Sequence, residues 1–132
     1  MSAQQPQQMK YGFSRTVEVP FDAAIEKTRA ALKEEGFGVL SEIDIKEKLK
    51  EKLGVDFRRY TILGACNPPL AYKTLQEEID IGLLLPCNVV VRVDGDHTVI
   101  EALDPKLIAS IPENVALQPV AEEAGTRIRA AL

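Results

Sequence analysis

Apolar and polar positions alternate early in the chain. Tyr11, Phe13, Val17 and Val19 share one side of a period-2 run, with Gly12, Ser14, Thr16 and Glu18 on the other. That is the pattern of a half-buried strand. Arg15 falls on the apolar side of it, where an arginine either snorkels to the sheet edge or faces an anionic ligand. After Pro20 the period changes: Phe21, Ala24, Ile25, Thr28 and Leu32 recur at three- and four-residue steps, one apolar stripe of a helix. Gly36 stands where a left-handed residue closes many helices.

"FGVLSEI" then predicts a second strand. Asp44 with Glu47 three positions on predicts a capped helix, with Ile45, Leu49 and Leu53 on its buried side and Gly54 at its end. "FRRYTILGAC" reads as a third strand running into Asn67-Pro68-Pro69, a side-chain cap followed by proline at the first helical position. Leu70, Leu75 and Ile79 fit the short helix that follows. "IGLLL" and "CNVVVRV" read as one long extended region bent at Pro86. "DGDH" is a turn and "TVIEAL" pairs back as a hairpin. Asp104-Pro105 repeats the cap-then-proline signal. Leu117, Val120, Ala121, Ala124, Ile128 and Ala131 form the stripe of a C-terminal helix.

The order β-α-β-α-β-α-β-β-β-α argues an α+β two-layer sandwich, mainly antiparallel, with helices on one face of the sheet. Its other face is left for self-association or for a ligand. Residues 1–9 are polar and Gln-rich and predict a disordered tail; residues 10–132 predict one domain.

Composition removes several function classes. The 132 residues are 45% apolar and 27% charged with a formal net charge of -4, the balance of a soluble globular protein and a poor match to a nucleic-acid backbone. No apolar run reaches the ~20 residues of a membrane span, and the polar start is no secretory signal. A cytoplasmic location with reduced thiols is therefore the expectation. No GxGxxG, GxxxxGK or GxSxG occurs, so nucleotide binding and serine hydrolysis have no support.

The candidate chemistry lies in "GACNPPLAY" and "LLLPCNVVV", which hold the two cysteines, Cys66 and Cys87, each followed by asparagine, Asn67 and Asn88. At the start of a helix a Cys66 thiolate would be stabilised by the backbone dipole. If the sulfurs meet, the pair is a soft, low-coordinate site suited to Cu(I) or to a sulfur species, with Asn67, Asn88 and Arg15 as supporting candidates. Equally, free cysteine packs as a small hydrophobe, and the chain is then a non-catalytic module holding an apolar small molecule or a partner protein on its open sheet face. An enzyme with a nucleophilic cysteine is disfavoured, because His97 is the only histidine and such a nucleophile needs a base within reach.

"YGFSRTVEVPFDAAIEKTRAALKEEGFGVLSEIDI", "YTILGACNPPLAYKTLQ" and "IGLLLPCNVVV", followed by "ALDP", closely resemble the bacterial and archaeal family called domain of unknown function 302. The likeness runs from about Lys10 into the C-terminal helix, and only the Gln-rich extension before Met9 departs from the pattern. It implies a TATA-binding-protein-like α+β fold, commonly a homodimer, and carries no established activity. A shared fold does not imply DNA binding.

Overall fold

The structure is a computed structural model that describes residues 6–132; the first five residues of the expected tail lie outside it. Six strands form one sheet, β1 (Gln7–Gln8), β2 (Gly12–Val17), β3 (Gly38–Asp44), β4 (Tyr60–Cys66), β5 (Cys87–Asp94) and β6 (His97–Leu103). Their order is β1-β2-β6-β5-β4-β3 and every pairing is antiparallel. The helices are α1 (Phe21–Glu34), α2 (Ile45–Leu53), α3 (Pro68–Glu77), α4 (Lys106–Ser110) and α5 (Gln118–Ala131). The result is the α+β sandwich that the pattern predicts.

Local chemistry fixes most element ends. Gly36 adopts φ +86° as α1 closes. The Phe37 amide reaches back to the Leu32 carbonyl at 2.8 Å and the Gly36 amide to Lys33 at 3.0 Å, the paired bonds of a Schellman stop. Asp44 caps α2 through the Glu47 amide at 2.9 Å. Gly54 ends that helix at φ +68°. Gly95 and Asp96 make the two-residue connection of the β5–β6 hairpin, with Asp94 opposite His97.

The main core lies between the sheet and helices α1 and α5. Leu32, Leu63, Val89, Val91 and Ile128 are fully enclosed there, each contributing about 1.5–3 kcal/mol through apolar burial. A second cluster, Ile81, Cys87, Ile108, Ala109, Leu117 and Ala121, sits beyond the end of β5.

Three expectations are corrected. Ile79–Leu84 is a 3-10 helix, not the first half of a long strand: Ile81 is its one buried residue and Leu83 stands almost free in solvent, so no alternating face exists for a sheet to bury. Helix α2 is amphipathic but buries none of its residues fully: it lies against the sheet mainly at β4, which leaves Ile45 and Leu49 half-buried and Leu53 exposed. Gln7 and Gln8, expected within the disordered tail, instead pair with Ser14 and Phe13 on the edge of β2.

Candidate functional site

The turn from β4 into α3 builds the site. Asn67 is buried, and its side-chain oxygen accepts from the Leu70 amide at 3.2 Å. Pro68 then occupies the first helical position, where a missing N–H costs nothing. The resulting helix turns Leu70 and Thr74 inward. Thr74 donates its hydroxyl to the Leu70 carbonyl at 2.7 Å, so it brings no free polar group to the interior. The Glu35 carbonyl, at the end of α1, accepts from Arg127 Nη1 at 3.1 Å and from Asn67 Nδ2 at 3.5 Å.

Between α3, α5 and the neighbouring ends of β4 and β5 lies a cavity of about 290 Å³, near the lower end of the range of small-ligand sites. Leu70, Leu75, Leu85, Ile108, Val120 and Ala121 are among its apolar lining. Cys66, Asn67 and Cys87 also line it. No charged side chain borders it, and the Asn67 carbonyl is committed to its cap. The hollow is dry in character and suited to an apolar molecule.

Cys87 is buried and Cys66 half-buried. Burial pushes the Cys87 thiol up to about 11, with a smaller Coulombic push from Cys66. Burial likewise raises Cys66, the opposite direction to the lowering expected of a thiol at the helix start. The sulfurs are not near each other. Ala65, not Cys66, is the cross-strand partner of Cys87, so both cysteines border the cavity without standing opposite each other in the ladder. The Coulombic push is a longer-range effect than sulfur–sulfur contact. Among the described residues no group of three His, Cys, Asp or Glu could hold a metal ion. The cysteine-pair reading, and the Cu(I) or sulfur-species chemistry that required it, fails on this geometry.

The supporting candidates also separate. Asn67 is in the cavity wall as a cap. Asn88 is exposed opposite Gly64 and borders a different hollow, beside Tyr60 and Leu103 on the open sheet face. Arg15 is opposite Ile100, itself opposite Val91. It is therefore two strands and four residues from Cys87, roughly 16 Å by strand geometry. His97 lies at the surface, paired with Glu18 at 2.8 Å. Sequence reasoning passed over Ala121 and Ala124 as site residues although their helical spacing was visible. Small side chains on α5 facing α3 are what leave room for the cavity.

The family model described as Domain of unknown function DUF302 matches residues 13–132. The chain belongs to the DUF302 family. This DUF302 chain is similar to a solved structure described as an uncharacterized conserved protein DUF302 from Bacillus stearothermophilus. The two share 34% identity and a TM-score of 0.88, over 94% of this chain and 97% of that one. No curated protein matches the sequence. Among the described residues of this DUF302 domain, no helix is long and apolar enough to cross a membrane.

Proposed function

We propose that this DUF302 chain is a non-catalytic binding module that takes a small apolar molecule into the cavity between α3 and α5. The apolar lining of that cavity, free of charged side chains, is the observation that carries the reading. The open sheet face, where sequence reasoning put the ligand, suits an apolar guest less well. It carries the Arg92–Glu101 ion pair, 3.0 Å between Nε and Oε1, and that pair would have to be desolvated.

Xenon or benzene binding followed by methyl NMR tests the reading. Shifts should concentrate on Leu70, Leu75 and Val120, and Ala121→Phe, which fills the hollow, should abolish them. Shifts spread evenly over the surface, or unchanged in Ala121→Phe, would refute it. Native mass spectrometry of freshly purified protein then shows whether a natural guest travels with it.

A specific observation also favours self-association. Strand β3 pairs only with β4 and leaves Leu40 and Ile43 exposed along a bare edge, a surface prone to pair with another chain. These observations support a homodimer formed through this edge as a second reading. Light scattering at micromolar concentration should give twice the chain mass for wild type and the single mass for Ile43→Lys.

A further inference from the structure

A second cavity, of about 540 Å³, opens on the other side of the core, between β2, α1 and the end of α5. Arg15, Val17, Lys27, Thr28, Ile100 and Leu132 are among its walls. Two polar atoms belonging to its lining residues are enclosed without any partner, Arg15 Nε and Thr28 Oγ1. Unpartnered buried donors are rare because each gives up its bonds to water.

Thr28 is anomalous within its own chain. A helical threonine can give its hydroxyl to the carbonyl four residues back. Thr74 does so to Leu70 and Thr126 to Glu122, at 2.7 and 3.1 Å. Thr28, only 3% exposed, leaves its hydroxyl uncommitted.

Arg15 donates Nη1 to the main-chain oxygen of Leu132. The opposite edge of its guanidinium, Nε with Nη2, makes no hydrogen bond within the described residues. Two parallel N–H groups on that edge match the two oxygens of a carboxylate. Lys27 takes part in no ion pair among the described residues, and the partner of Arg15 there is the Leu132 main-chain oxygen alone. The acidic residue bordering the hollow, Glu18, is engaged by His97 Nδ1. Val17, Ile100 and Leu132 give the same cavity an apolar wall.

We propose that this second cavity binds an organic monocarboxylate with an apolar body, its carboxylate held by the free edge of Arg15 and by the Thr28 hydroxyl, with Lys27 at the rim. The site is separate from the cavity between α3 and α5 and does not depend on that cavity being occupied.

Octanoate is the probe, titrated into the full chain by calorimetry, with octan-1-ol and inorganic phosphate as controls. One octanoate should bind per chain, with NMR shifts centred on Arg15 Nε–H and the Thr28 methyl, and more tightly than either control. Arg15→Met should weaken binding by at least about tenfold, as expected for loss of a charge-assisted bidentate pair. Arg15→Lys, which keeps the charge but not the fork, should weaken it less. Thr28→Val, close in shape to the native side chain, should weaken it with the fold intact and serves if Arg15→Met does not fold. The proposal is overturned if octanoate fails to bind at millimolar concentration, or if octan-1-ol or phosphate binds as well. It is also overturned if the shifts fall on the cavity between α3 and α5, or if Thr28→Val and Arg15→Lys both bind like wild type.

Discussion

Replacing Asn67 by alanine tests how the β4–α3 turn holds the candidate site. The Asn67 side-chain oxygen is the acceptor for the Leu70 amide, and both residues are buried. Alanine removes the cap, which costs about 0.5–2 kcal/mol. It also leaves a buried N–H unpaired, which costs about 1–3 kcal/mol by itself. These are two descriptions of one lost bond, so they do not add, and the expected loss is about 1–3 kcal/mol. The Nδ2 contact to Glu35, at 3.5 Å, is at the limit for a hydrogen bond and adds little. Arg127 keeps the Glu35 carbonyl satisfied in the variant. Urea unfolding reads the loss as a lower midpoint at constant slope. Asn67→Ser restores a capping oxygen and should recover about half of the loss. The reasoning fails if alanine costs less than about 0.5 kcal/mol, below the weakest cap, or if serine is no better than alanine.

Two further outcomes follow from the packing. The Cys87 thiol ionises at about 11 when folded against 9.0 when unperturbed, so between those values the unfolded chain loses its proton first. Stability contributed by this group is full below pH 9 and falls by about 1.4 kcal/mol per pH unit up to the folded value; Cys87→Ala should remove that alkaline slope in denaturation curves, and an unchanged slope would contradict the burial. Gly64→Ala places a methyl group against Ser41 Oγ and 2.9 Å from Pro86 Cγ, so overpacking should cost about 1–3 kcal/mol in thermal unfolding, and wild-type stability would contradict the close approach.

Features written in local chemistry were legible in the sequence. Asp44 and Asn67 cap the helices expected of them, and Gly36 and Gly54 take positive φ where a helix needs a left-handed end. These signals act over three or four residues and need no partner from elsewhere. The run from Ile79 to Leu84 was not legible, because a short apolar stretch fits a strand or a helical turn equally. Its outcome depends on which side chain finds cover, and here that is Ile81 alone. Helix α2 fails in the complementary way: its stripe is a local fact, whereas its burial depends on how much of the sheet lies against it, and β4 covers Ile45 and Leu49 only in part. The thiols failed on register. One residue decides whether Cys66 or Ala65 stands opposite Cys87, and no local signal fixes that number. Arg15 was legible as a charge on the apolar side of its strand, but whether it faced a cavity was not, because sharing one with Thr28 depends on how α1 lies across the sheet.

The Glu35 carbonyl has one consequence for how the molecule would report its own occupancy. A side chain from the start of α3 and another from α5 both reach this single oxygen at the end of α1. A guest that prises α3 from α5 would pull those donors apart and loosen the last turn of α1. The amide of Gly36, which closes that turn, would then exchange with deuterium faster, registering a filled cavity at the end of a helix that does not line it.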